Sequence, residues 1–227
     1  MSKTVLSVAI DGPSGAGKST IAKKIAKEIG FIYVDTGALY RAIGLYAVEA
    51  GLDTANANQV NGILGEINIE LRAEKEGQQV FLNDKNVSGL IRRHDISMAA
   101  SNVSAIPEVR AFLLELQRKI ARENSCIMDG RDIGTVILPN ADLKIFLTAT
   151  PEDRAQRRFL ELKERGQDVS YETVLKDVMT RDYNDSNRDA APLKQAPDAV
   201  LVDTTGNTLE QSVKILTDLV KTKLKIG

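Results

Sequence analysis

The stretch that most restricts the fold of this chain is IDGPSGAGKST, residues 10–20. It follows the apolar run VLSVAI (5–10) and opens the amphipathic segment STIAKKIAKEIG (19–30). Gly12, Pro13, Ser14, Gly15, Ala16, Gly17, Lys18 and Ser19 satisfy the pattern G-x-x-x-x-G-K-[ST] in full, in the strand–loop–helix setting it requires. Glycines let the backbone curl until its N–H groups converge on phosphate oxygens, and the helix N-terminus adds partial positive charge. Lys18, expected in a solvent-facing loop, reaches the outer phosphates of a bound polyphosphate. The Ser19 hydroxyl is the expected direct ligand of Mg²⁺.

The rest of the pattern extends this unit. Ile21, Ile25 and Ile29 recur at i+4 with lysines on the other face, and Gly30 is a C-cap signal. FIYVD (31–35), SCIMDG (125–130), LKIFLTA (143–149) and AVLVDT (199–204) read as four more strands separated by helical patterns. Such alternation predicts an α/β fold, a parallel five-stranded sheet with helices on both faces. INIELRAEKEGQQVFLNDKNVSG (67–89) breaks the rhythm. Ile67, Ile69 and Leu71 point one way, Val80 and Leu82 do the same after the turn EKEG, and NDKN is a second turn. This predicts a small antiparallel β insert at 63–96 within a core of 1–62 and 97–227, with a short helical lid at about 151–170.

At 227 residues and 43% hydrophobic, the chain can bury a full core as one elaborated domain or two small ones. A formal net charge of −1 gives none of the basic excess expected of a nucleic-acid binder. Cys126 is the one cysteine, which excludes an intramolecular disulfide and suits a reducing compartment. No segment approaches the roughly 20 apolar residues of a membrane span, and the N-terminal run lacks a signal-peptide layout. The expectation is a cytoplasmic protein with neither nucleic-acid nor membrane partners. A guanine-reading N-K-x-D is absent, and the one D-x-x-G (203–206) follows the last strand, where it cannot report on a γ-phosphate. Transfer to a small molecule is favoured over a switch or a motor.

Four charged clusters bear on the acceptor. In an open α/β sheet, ligands gather at the carboxyl ends of the strands. Arg41 in DTGALYRA (35–42) stands about one turn beyond such an end; Asp35 and Thr36 suit a helix N-cap, which does not account for Arg41. In DGRD (129–132), Asp129 is placed to hold water on Mg²⁺, and Arg131 and Asp132 set a guanidinium beside a carboxylate, with a loop salt bridge as the plainer alternative. In RDYNDSNRD (181–189), Arg181, Asp185 and Arg188 fall at i, i+4 and i+7 on one helical face, with a solvated ion-pair stripe as the plainer alternative. In PEDRAQRR (151–158), Arg154, Arg157 and Arg158 suit a lid over a triphosphate. The single histidine, His94, lies in the expected insert with nothing to mark it as a base. An acceptor that is itself a phosphate needs no base. It needs guanidinium charge to bring two anions together, and catalysis is then positioning and electrostatic stabilisation.

IDGPSGAGKST, DTGALYRA, IMDGRDIGT, KIFLTATPEDRAQRR and RDYNDSNRDAAPL, in this order and over nearly the whole chain, resemble the bacterial cytidylate kinases of the nucleoside monophosphate kinase group. The phosphate loop alone is unspecific; DTGALYR with DGRDIGT and RD-x₃-SNR is specific. The resemblance implies a P-loop kinase core whose β-rich insert enlarges the monophosphate-binding domain. It implies transfer of the γ-phosphate of ATP to CMP or dCMP with Mg²⁺, by a monomer. It assigns residues 12–20, ending in Thr20, to ATP, and Thr36, Tyr40 and Arg41 to the CMP site, with Arg131 on the CMP phosphate. Ser101, Arg110 and Asp132 would face cytosine, and Arg181, Asp185 and Arg188 would contact ribose and phosphate. Lys18, Arg41, Arg131, Arg158 and Arg188 are then the catalytic charges. Cytosine offers an N4 amine that a carboxylate accepts, whereas uracil would turn a carbonyl toward Asp132. The rival readings are a kinase for UMP, AMP or a metabolite alcohol, and a nucleotide-binding module without transfer.

Overall fold

The computed structural model describes residues 5–74, 77–164 and 166–226. Lys75 and Glu76 of the expected EKEG turn, and the side chains of residues 73, 74, 77 and 94, lie outside that description, so the expectation for His94 has no structural counterpart here. In chain order the elements are β1 (Ser7–Asp11), α1 (Lys18–Ile29), β2 (Ile32–Asp35), α2 (Thr36–Glu49), α3 (Ala57–Ile63), β3 (Ile69–Glu74), β4 (Gly77–Leu82) and β5 (Lys85–Asn86). They continue with α4 (His94–Ser104), α5 (Pro107–Glu123), β6 (Cys126–Gly130), β7 (Leu143–Thr148), α6 (Pro151–Glu164), α7 (Tyr171–Asn187), β8 (Val200–Asp203) and α8 (Leu209–Leu224).

The five expected strands form one parallel sheet in the order β2-β6-β1-β7-β8. β1 and β6 are continuous apolar runs because a parallel sheet of this kind is covered on both faces. Their register sets Ile10 beside Asp129 and Asp11 beside Gly130, so strand ends rich in charge meet at one edge. Ile21 and Ile25 of α1 pack with Leu216 and Val220 of α8 against Val8, Ile10, Ile145 and Leu147. α1 stops where expected: Gly30 takes φ 74°, ψ 24°, the left-handed geometry of a glycine C-cap. No helix among the described residues is long and apolar enough to cross a membrane.

Contacts divide the chain into two compact units, one running to Tyr33 and resuming at Ala121, the other Val34–Ile120. The expected insert, 63–96, takes in the second sheet, but the unit around that sheet is wider and also holds α2, α3 and α4. Its sheet has the order β3-β4-β5, with Ile69 opposite Leu82 and Leu71 opposite Val80. That register puts the alternating apolar residues on one face, packed with Leu39, Ile43, Ile96 and Val103. The NDKN turn closes through positive φ at Asn83 (46°) and Asp84 (65°), the conformation of a two-residue hairpin. In the first unit, α6 and α7 share a small core of Ala155, Leu162, Val174 and Val178.

Candidate active site

The phosphate loop bends through Gly12, Gly15 and Gly17, at φ 147°, 77° and 86°. Gly12 is obligatory, since a Cβ there would stand 1.9 Å from the carbonyl oxygen of Leu147. Gly17 caps α1 without any side-chain cap bond, so the first N–H groups of the helix stay available to an anion. Lys18 corrects the sequence expectation: it is buried, and its Nζ donates to the carbonyls of Gly12 and Pro13, each at 2.7 Å. Burial and the charge of Arg131 pull the Lys18 pKa well below that of an ordinary lysine, against the opposing pull of Asp129, Asp185 and Asp11. Thr20 follows on the exposed side of α1, and Ala16 is fully buried.

Ser19 and Asp129 come together across the sheet edge. The Ser19 hydroxyl donates to Asp129 Oδ2 at 2.8 Å, and the Tyr33 hydroxyl donates to Oδ1 at 2.8 Å. Beyond Asp129 the chain leaves β6 with Arg131 and Asp132. Arg131 Nε donates to Asp185 Oδ2 at 2.7 Å. Burial alone would raise the Asp185 carboxyl, but Arg131, by charge and hydrogen bond, with Arg181 and Arg188 behind it, holds it below its ordinary value. Arg188 Nη2 lies 3.4 Å from Asp132 Oδ1, and both side chains are buried. The expected single helical face is corrected here: α7 ends at Asn187, and Arg188 is its C-cap in extended geometry, φ −68°, ψ 143°. The N–H of Leu193 donates to the Asp185 carbonyl at 2.7 Å, which turns the chain back, and Arg188 Nε donates to the Ala191 carbonyl at 2.9 Å.

The lid arginines separate into different roles. Arg154 departs from the expectation of a lid residue, for it is buried and faces protein on every side. Its fork meets both oxygens of Asp182, at 3.0 and 2.6 Å, while Nη1 donates to the Ser14 carbonyl and Nε to the Ala149 carbonyl. A buried guanidinium needs such partners for its donors, and here they hold the phosphate loop from behind. Arg157 donates to the Thr204 carbonyl at 2.7 Å and to Asp153 Oδ2 at 2.8 Å. Arg158 makes a half-exposed pair with Glu161, one turn along the same helix.

The second unit carries the other candidates. Asp35 is the N-cap of α2, its carboxylate accepting from the Ala38 N–H at 3.0 Å, and Thr36 is the buried first helical residue. Among the described residues no hydrogen-bond or ion-pair partner is found for Arg41, so its guanidinium is uncommitted. Tyr40 lies under Arg110, whose Cζ is 5.7 Å from the ring centre. Arg110 Nη1 donates to the Ser104 carbonyl, and the Ser104 hydroxyl donates to the Ser101 carbonyl, so Ser101, Arg110 and Tyr40 form one linked group.

Sequence reasoning passed over three residues. Asp11 accepts the N–H groups of Ile133 and Gly134; Tyr33 holds Asp129; Asp182 holds Arg154. An acid on the last residue of a strand that enters a phosphate loop was a usable signal for Asp11. Nothing local marked the other two, whose partners lie 96 and 28 residues away.

The sequence model of the cytidylate kinase family matches residues 8–222. The cytidylate kinase of Carboxydothermus hydrogenoformans is 47% identical over 95% of this chain and 97% of its own length. That of Fervidobacterium nodosum is 46% identical over 96% of this chain and 98% of its own. Among solved structures, an uncharacterised protein from Eubacterium ventriosum superposes with a TM-score of 0.54 at 13% identity, covering 96% of this chain and 99% of that one, a likeness of fold alone. With a family match along almost its whole length and relatives at nearly half identity, the chain belongs to the cytidylate kinase family.

Proposed function

We infer that this chain transfers the γ-phosphate of ATP to the phosphate of CMP or dCMP, giving ADP and CDP or dCDP. The observation that carries the reading is the group just past the end of β6, where Arg131 pairs with Asp185 and Asp132 with Arg188, directly after the strand whose Asp129 bonds Ser19 of the phosphate loop. The loop's N–H groups and Lys18 receive the triphosphate. Lys18 leaves the Gly12 and Pro13 carbonyls for phosphate oxygens, whose negative charge favours its protonated form. Arg131, Arg188 and the uncommitted Arg41 draw in the acceptor phosphate, an anion that attacks without a base. Arg158 is the lid charge that reaches the transferring group, Arg157 lies beside it, and Arg154 keeps the loop in shape. Asp132, Ser101 and Arg110 read the cytosine, Tyr40 and Thr36 line its site, and Arg181 and Asp185 hold the ribose. The protein acts as a cytoplasmic monomer.

Ser19 and Asp129 suit Mg²⁺, since both offer hard oxygen and lie 2.8 Å apart. No group of three or more His, Cys, Asp or Glu is gathered for a metal among the described residues, which suits an ion that keeps its waters and borrows phosphate oxygens. Ser19 would bind it directly and Asp129 through water; when bound it neutralises charge across the outer phosphates.

An ADP-release assay with CMP, dCMP, UMP, AMP and an alcohol panel tests the reading. Turnover that depends on CMP or dCMP is expected, and Lys18→Ala should lose at least about a hundredfold in kcat. Turnover confined to another acceptor, or nucleotide binding without turnover, overturns it.

A further inference from the structure

Asp11 is the last residue of β1, directly before the phosphate loop, and it is buried. Its Oδ1 accepts from the N–H of Ile133 and its Oδ2 from the N–H of Gly134, each at 2.7 Å. Those groups open the π-helical turn Ile133–Ile137, whose N-cap is Asp132. N–H groups at a helix start have no partner within the helix, and Asp132 gives this turn no side-chain cap bond. One short side chain at the end of the donor strand therefore ties down the backbone that carries Arg131 and Asp132. The packing is close, since a Cβ on Gly134 would stand 3.0 Å from Lys144 Cδ and 3.3 Å from Asp11 Oδ2.

We propose that Asp11 is a positioning residue for the acceptor nucleotide: through Ile133 and Gly134 it aims Arg131 and Asp132, so that β1 sets both the donor loop and the acceptor-reading turn. This rests on the assignment of Arg131 and Asp132 to CMP. A packing role alone explains the residue poorly. Burial lifts the Asp11 carboxyl to about 6 despite the two N–H bonds, with Asp132 adding to the rise and Lys18 opposing it. A buried charge of this kind weakens the fold near neutral pH, where an apolar side chain would not.

The test is Asp11→Asn, which nearly conserves size, with rates taken against CMP at saturating ATP and against ATP at saturating CMP. The amide keeps one acceptor oxygen and turns its NH₂ against the other N–H, so the turn must shift. KM for CMP should rise roughly tenfold to a hundredfold, KM for ATP should change by less than about twofold, and the preference for CMP over UMP should narrow. Gly134→Ala presses on the same contact from the other side and should give the same split; it decides the matter if the Asn variant does not fold. CMP and ATP constants that move together, or a lower melting temperature with both constants unchanged, overturn the proposal. A wild-type enzyme that ignores CMP overturns the acceptor assignment and this proposal with it, an outcome distinct from a failure of Asp11 alone.

Discussion

Asp132 is acceptor-only while ionised, and Arg188 Nη2 lies 3.4 Å from its Oδ1. Asp132→Asn replaces that commitment with an amide that can present oxygen or NH₂. Losing one charged hydrogen bond costs about 1.5–3 kcal/mol, so kcat/KM for CMP should fall roughly tenfold to a hundredfold. UMP should lose less or gain, because the amide can donate to its O4. Competitive rates with the two nucleotides check this, and equal losses would place cytosine reading with Ser101 and Arg110. Asp11 makes a prediction about pH. Its carboxyl titrates at 3.8 when exposed and at about 6 in the fold. The folded state therefore holds the proton more tightly, and the stability this supplies is complete below the unfolded value and is lost as pH rises through the folded one. The loss is on the order of 3 kcal/mol. Urea unfolding of wild type and Asp11→Asn should show the wild type losing about that much more between pH 4 and 7; parallel pH profiles would refute the shift.

At the scale of elements, Arg154 couples the α6–α7 pair to the phosphate loop. Arg154 joins Asp182 on α7, the Ser14 carbonyl in the loop and the Ala149 carbonyl at the end of β7. Removing it leaves Asp182 without its bidentate partner and the loop without support from behind. Arg154→Ala should cost about 3 kcal/mol in stability, as breaking a buried pair does. It should also raise KM for ATP more than KM for CMP, because the loop belongs to the donor. Denaturant melts and the two Michaelis constants measure both effects. An ATP constant unchanged in a destabilised protein would make Arg154 a strut for the helices alone.

At the scale of the molecule, each compact unit carries residues proposed for CMP: Thr36, Tyr40, Arg41, Ser101 and Arg110 lie in one, and Arg131, Asp132, Arg181, Asp185 and Arg188 in the other. Phosphoryl transfer must exclude water, so each unit should tighten around the substrate residues proposed for it. Amide exchange reads this by segment. CMP should slow exchange in α2, in α4 and in the turn after β6, and a non-hydrolysable ATP analogue should slow it in residues 12–20 and α6. Protection by CMP in one unit only would show that the other contributes nothing to acceptor binding.

The phosphate loop, the five strands and the small sheet were legible because each is specified by neighbours in sequence. The glycine spacing of 12–17, the i+4 isoleucines of α1 and the alternation of Ile69, Leu71, Val80 and Leu82 each encode their own backbone. The charged clusters were legible as clusters, and the family resemblance supplied their roles. Partnership was not legible. Arg131, Arg154 and Arg188 look alike in the chain, yet one takes Asp185, one takes Asp182 and the loop, and one takes Asp132 from beyond the end of its helix. An ion pair is set by where two strand ends and a helix terminus meet, over separations of 28–56 residues, and local periodicity holds no record of that. The same reason hid the partners of Asp11, although its place at a strand end before the phosphate loop was a signal. A carboxylate at the end of a strand is common, and only the fold brings to this one two N–H groups from more than a hundred residues away.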